Sequence, residues 1–280
     1  MTDRVFIIGA GKVGRGLTRA FRASGVTVIG LHARRPHDEA SSSGDYPPTI
    51  ADANVILIAV RDAEIDGVCR TLAELARVHP SHIAHGAAIL HTSGTADPPT
   101  FPQLRALGLN PGTFHPLVPF ATPERGAQLL KDAWVGIEGD PNACAAARRL
   151  AAAVGARTMN IPASQKALYH AAAVMASNFP IVLAGLASRL LTNAGVVERT
   201  ADQVIQSLMR AAITNLDYGT PAEVLTGPVV RNDTTTIETH QRALQQDPDA
   251  LAAYKALTQA ARTLRKAGVE RPRHKGVAEP

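Results

Sequence analysis

The chain has 280 residues, 45% of them hydrophobic and 19% charged, with a formal net charge of +5. At roughly 150 residues per domain it holds about two domains, and this balance excludes a disordered or collagen-like chain. Cys69 and Cys144 lie far apart without a CxxC partner. Neither a disulfide framework nor a thiolate zinc site is therefore expected, and a reducing, cytoplasmic location with no metal is expected. The first apolar run, Val5 to Ile8, comes almost at the start of the sequence, so no signal peptide is expected. The basic residues are scattered and aromatic residues make up only 4%, so no nucleic-acid partner is expected. The densest basic run, Arg262 to Lys275, reads as a solvated helix end and tail.

In chain order, short β-branched runs alternate with helical patterns. Strands are predicted at Val5 to Ile8, Thr27 to Leu31, Val55 to Val60, Ala88 to His91, Thr113 to His115, Trp134 to Glu138 and Thr158 to Ile161. Helices are predicted at Val13 to Ser24, Glu64 to Arg77, Pro123 to Leu130 and Ala143 to Val154. Such alternation specifies an α/β fold with a Rossmann-type, mostly parallel sheet. From Pro162 onward the pattern is helical only, through Ser164 to Ala194, Ala201 to Leu216, Thr236 to Gln246 and Asp249 to Ala267. We therefore expect a dinucleotide-binding domain at 1–161 and an all-α substrate and dimerisation domain at 162–280. Ser41 to Gly44 and Gly219 to Pro228 read as loops. Ala171 to Leu191 is long enough to span a bilayer, but its Ser177, Asn178, Pro180, Ser188 and Arg189 favour a buried helix and no membrane partner.

Gly9-Ala10-Gly11-Lys12-Val13-Gly14 follows the first strand directly and opens the first helix. In that context the three glycines provide a tight turn, close approach of backbone to a pyrophosphate, and close packing of helix on sheet. An NAD site places a carboxylate about 20 residues further on. Here the second strand runs into Arg34-Arg35, and Asp38 and Glu39 follow Pro36 too late to reach the ribose. Two guanidiniums suit a 2′-phosphate, so the expected cofactor is NADP(H), although both could be plain exposed loop charges. Ala59, Val60 and Thr92, at the carboxyl ends of later strands, are candidates to line the ribose and nicotinamide, or simply pack there.

Further along stand His91-Thr92-Ser93-Gly94, Phe114-His115-Pro116-Leu117, Lys166 to Asn178, and Thr226 to Asp233. Together with the glycine motif they give nearly the whole chain a resemblance to the 6-phosphogluconate dehydrogenase-like reductases. That superfamily includes β-hydroxyacid dehydrogenases, ketopantoate reductase, pyrroline-5-carboxylate reductase and prephenate dehydrogenase. Within it the likeness is greatest to a Rossmann-plus-helical group known as a domain of unknown function. The resemblance implies a hydride-transferring enzyme whose helical domain often dimerises.

Ser164 is a suitable N-cap, which puts Lys166 in the first turn of the long helix, where a cation opposes the helix dipole. At 100° per residue, Lys166, His170 and Ser177 lie within about 40° of one another, with Asn178 beside them. β-Hydroxyacid dehydrogenases are similar in carrying a Lys general acid/base in this helix, followed one turn later by Asn. Here His170 takes that second place, and either Lys166 or His170 can supply the proton; a partly solvated helix face remains open. His115 resembles the His-Pro turn of prephenate dehydrogenase, and a backbone-bonded strand end would look the same. Arg231, Asp233 and His240 are candidate substrate ligands, while Thr235 and Glu238 read as a capping box that Asp233 merely supports.

The expectation is an NADPH-dependent reductase acting on a C=O or C=N of a small, acidic substrate, or else an NADP(H)-binding sensor or scaffold without turnover. The long apolar helix has more hydrophobic face than its domain can cover, so a homodimer is expected.

Overall fold

The computed structural model describes residues 2–95 and 98–270. The chain divides into two compact units, Met1–Ser177 and Asn178–Pro280. The break falls inside the long helix rather than ahead of it.

The first unit contains an eight-stranded sheet with the strands β1 (Arg4–Ile8), β2 (Thr27–Ala33), β3 (Ser42–Ser43), β4 (Val55–Ile58), β5 (Ala88–His91), β6 (Asn110–Pro116), β7 (Trp134–Gly139) and β8 (Arg157–Asn160). Their order is β3-β2-β1-β4-β5-β6-β7-β8, and all neighbours are parallel except β6 and β7. The expected Rossmann-type, mostly parallel sheet is therefore present. Helices α1 (Lys12–Ala23), α2 (Asp62–Val78), α3 (Phe101–Ala106), α4 (Pro123–Leu129) and α5 (Pro141–Ala153) connect the strands.

Side chains alternate across a strand, and the core follows that period. Val5, Ile7, Val55, Leu57, Ala88 and Leu90 pack with Leu17 and Phe21 of α1 and Leu150 of α5. Phe6, Ile8, Ile56, Ile58 and Ile89 face the other way, onto Cys69 and Leu72 of α2 and Leu104 of α3. The central strands are covered on both faces, as their continuous apolar sequence requires.

The glycine loop is set by steric contact. A Cβ at Gly9, whose φ is +115°, would lie 2.3 Å from the Ala59 carbonyl oxygen; one at Gly14 would lie 1.8 Å from the carbonyl oxygen of Gly9. The turn, the end of β4 and the first turn of α1 approach one another more closely than any larger residue allows.

Helix α6 (Lys166–Asn193) leaves the sheet unit and enters the second, where α7 (Glu198–Thr214), α8 (Pro221–Val224), α9 (Thr234–Ala243) and α10 (Pro248–Glu270) follow. In that second unit Ser188 donates to Asp202, and Arg189 makes a bidentate pair with Asp247, whose Oδ1 also accepts from the Ala250 N–H at the start of α10.

Several local expectations need correction. Ser42–Ser43 pairs with β2 as a short edge strand instead of forming a loop. The Gly219 to Pro228 loop contains α8, closed by a capping box of Thr220 and Glu223. The box expected at Thr235 and Glu238 is not the one that forms: Asp233 is the cap of α9, accepting from the Thr236 N–H at 3.0 Å. A carboxylate two residues earlier reaches the free amides first. Ser164 lies in a 3-10 turn, Ala163–Gln165, and Lys166 opens the helix proper. Of the basic run, residues 271–275 lie outside the described residues.

The largest correction concerns Ala171 to Leu191, expected to be buried. Its Met175, Phe179, Ile181 and Val182 are all more than half exposed, Ile181 at 73%. By length and composition the segment Ala163–Asn193 would suffice to cross a membrane, and none of its apolar window is buried within the chain. The helix is apolar as its composition indicates, but it is not buried within the chain.

Two Gly-to-Ala changes are expected to have effects of opposite sign. Gly14→Ala is expected to lower the unfolding free energy by about 1–3 kcal/mol through overpacking. Gly67→Ala, in open space within α2, is expected to raise it by about 0.5–1 kcal/mol. Urea melts of the two variants measure both.

Candidate active site

A cavity of about 1090 Å³ opens along the carboxyl edge of β1, β2 and β4. It is lined by Gly9, Ala10, Gly11, Lys12 and Val13 from the glycine loop, by Arg34 and Arg35 after β2, and by Ala59 and Val60 after β4. Gly14 stands behind the wall in its packing role, and Thr92 is outside the lining, its hydroxyl on the Ile58 carbonyl oxygen at 3.3 Å. The volume lies just above the range of about 300–1,000 Å³ for small-molecule sites. A Cβ at Gly11 would meet nothing within 4 Å, so the loop amides are open to approach. Residues and space together fit an extended dinucleotide, with its pyrophosphate on the glycine loop at the start of α1.

Glu39 does not line this cavity. It receives Arg15 Nη1 at 2.6 Å and Arg19 Nη2 at 2.8 Å, and Arg19 also pairs with Glu124. These guanidiniums hold its carboxyl below the ordinary range, Arg15 most strongly. The loop carrying Arg34 and Arg35 is thereby tied to α1. Arg34 Nη1 and Arg61 Nη2 both reach Glu64 Oε1, at 2.9 and 2.7 Å.

Farther along the same edge, Lys166 is 3% exposed. Its Nζ donates to Thr113 Oγ1 at 2.9 Å and lies 2.9 Å from Glu138 Oε2. The second contact lacks hydrogen-bond alignment, yet at that separation charge attraction alone makes it an ion pair. His91 joins the group through Nε2 and Thr113 Oγ1, 3.2 Å apart, while its Nδ1 accepts from the Ser93 N–H, which places the His91 proton on Nε2. The cation at the start of α6 is thus offset by a carboxylate on β7.

One turn along α6, Tyr169 and His170 meet His115 over Gly94. The His115 Nδ1 to Tyr169 hydroxyl distance is 2.8 Å, and the His115 and His170 ring centroids are 5.8 Å apart. A Cβ at Gly94 would sit 2.6 Å from His115 and 2.9 Å from His170 Nδ1; one at Gly136 would sit 2.4 Å from the Tyr169 hydroxyl. Both glycines make room for rings. Burial pushes the Tyr169 phenol up to about 12. Burial, followed by the nearby His170, His91 and Lys166, brings the His115 imidazole down to about 4 against the opposing pull of Asp62. Tyr169 and His115 are therefore both neutral near pH 7 and are joined by one hydrogen bond. His170 Nδ1 is buried without a hydrogen-bond partner.

Lys166 and His170 on α6 and His115 on β6 are thus brought together from two segments more than 40 residues apart in sequence. Ser177 turns its hydroxyl back onto the Ala173 carbonyl oxygen at 2.8 Å, and Asn178 is exposed. In the second unit, Asp233 caps α9 and is held low by Thr236, His240 Nδ1 lies 2.9 Å from the Tyr254 hydroxyl, and Arg231 is exposed. Asp233 and His240 are thus engaged in that unit's own architecture. Sequence reasoning missed Tyr169, Glu138, Thr113 and Gly94. Tyr169 is legible only as the i+3 neighbour of Lys166, and Gly94 only as the small end of a strand-turn.

Residues 133–261 match the model of a domain of unknown function, DUF2520. No curated protein sequence matches the chain. Among solved structures, a Bacteroides fragilis protein assigned as an NADP oxidoreductase shares 21% identity over 94% of this chain and 98% of its own, with a TM-score of 0.70. An imine reductase from Pseudomonas sp. shares 19% over 96% and 95%, TM-score 0.62. A Plasmodium falciparum pyrroline carboxylate reductase with NADP bound shares 8% over 94% and 98%, TM-score 0.60. The chain has the fold of the Rossmann-plus-helical reductase group.

The depressed His115 gives a pH prediction with a definite sign. A His at about 4 when folded and 6.5 when unfolded takes up its proton first in the unfolded chain. Stability is therefore fully present above pH 6.5 and lost as pH falls toward 4, by on the order of 2–3 kcal/mol for this group. His115→Gln is expected to flatten that slope in denaturant melts at pH 7 and pH 5.

Proposed function

We propose that the protein is an NADPH-dependent reductase that delivers hydride to a C=O or C=N of a small, acidic substrate. The observation that carries this reading is the meeting of His115, Tyr169 and His170 over Gly94, on the same sheet edge as a cavity shaped for a dinucleotide. The imine reductase and pyrroline carboxylate reductase of like fold support it.

In this reading the Gly9 to Gly14 loop binds the pyrophosphate, and Arg34 and Arg35 bind the 2′-phosphate. The nicotinamide supplies the hydride and the protein supplies position and a proton. His170 Nδ1, buried and unpaired, holds the proton given to the substrate heteroatom; an unpaired buried polar atom costs about 1–3 kcal/mol, which a substrate acceptor relieves. The neutral His115 and Tyr169 pair fixes the His170 ring and keeps a second charge out of the site. Lys166, already engaged with Thr113 and Glu138, anchors the start of α6 and acts as a positioning residue.

His170→Gln is expected to lower kcat by about 10²–10⁴-fold while the affinity for NADPH stays within about twofold. The assay is loss of reduced nicotinamide absorbance against 2-keto acids, β-keto acids and cyclic imines, with NADH in parallel. Cofactor binding with no turnover on any compound would leave the sensor reading instead.

The same reading makes the protein a soluble cytoplasmic enzyme and a homodimer, a second copy covering the exposed face of α6. Sedimentation equilibrium is expected to give about twice the 29.5 kDa chain mass, and Ile181→Glu, which puts a charge on that face, to return it to the monomer.

A further inference from the structure

Arg34 follows β2 and Arg61 follows β4, the strands on either side of β1, so the two guanidiniums flank the glycine loop about 10 Å apart at their origins. Both nevertheless converge on a single oxygen, Glu64 Oε1, at the wall of the cavity. A carboxylate held by two guanidiniums occupies the place that a phosphate would take between them.

We propose that Arg61 is a further ligand for the cofactor 2′-phosphate, and that Glu64 is its built-in competitor, setting the preference between phosphorylated and unphosphorylated dinucleotide. This rests on the cofactor reading above. The Arg34 and Arg61 side chains are 74% and 80% exposed, and ion pairs of that kind are individually weak. A phosphate near pH 7 carries between one and two charges and three acceptor oxygens, so it binds a guanidinium fork more strongly than a lone carboxylate does. The incoming phosphate therefore displaces Glu64, and the displaced carboxylate remains close enough to repel it. Arg15 and Arg19 do not enter this exchange, because Glu39 and Glu124 hold them.

The test is calorimetric binding of NADP+ and NAD+ to the full chain, with 2′,5′-ADP and 5′-AMP as minimal probes. Arg61→Gln is expected to weaken NADP+ and 2′,5′-ADP about five- to tenfold and to leave NAD+ and 5′-AMP within about twofold. Glu64→Gln is expected to tighten NADP+ severalfold without tightening NAD+. Thermal melts of both variants confirm folding. The inference is overturned if Arg61→Gln binds NADP+ like the wild type, or if either variant shifts both dinucleotides equally. Wild-type protein that binds neither dinucleotide would overturn the cofactor reading itself, a result distinct from failure of the selectivity argument.

Discussion

A buried ammonium must be paired, and the pairing of Lys166 determines where the candidate site lies. Its partners, Thr113 on β6 and Glu138 on β7, are on adjacent antiparallel strands. The first turn of α6 therefore has one position on the sheet in which the charge is satisfied. Tyr169 and His170, three and four residues on, follow from that position without further choice. Such a pair adds little net stability over a well-packed apolar substitute, since desolvation consumes most of the attraction. What it provides is registry: sliding α6 by one residue would strand a charge among Thr113, His91 and the apolar ends of β5 and β6.

The same economy of charge governs the dinucleotide end of the cavity. Cations outnumber anions there, yet most are already engaged. Glu39 collects Arg15 and Arg19, and Glu64 collects Arg34 and Arg61. The two carboxylates differ in consequence. Glu39 ties a loop to a helix away from the cavity and serves shape, whereas Glu64 is in the wall and serves recognition.

What was legible in the sequence had local causes. The glycine loop, the strands of the parallel sheet and the boundaries of most helices follow from periodicity and from steric demands within a few residues. Lys166, His170 and His115 were legible as chemistry but not as an assembly, because their meeting depends on β6 lying between β5 and β7. Glu138 was invisible for the same reason: nothing near it in the chain shows that a lysine will arrive from 28 residues downstream. Asp233 reads as a substrate ligand or as support for the start of α9, and its carboxylate accepts from the Thr236 amide and hydroxyl.

The long helix shows where composition ceases to decide. Its Ser177, Asn178, Pro180, Ser188 and Arg189 argue for a buried helix rather than a membrane span, while the size of its apolar face argues for a second copy. How little of that face the chain itself covers was not legible in composition: Met175, Phe179, Ile181 and Val182 are all more than half exposed. A helix whose first turn is fixed by a buried ion pair cannot rotate to hide Phe179 and Ile181 without pulling Lys166 from Glu138. α6 thus carries two demands, satisfying its cation at one end and covering its apolar face farther along, and its rotation is already committed to the first.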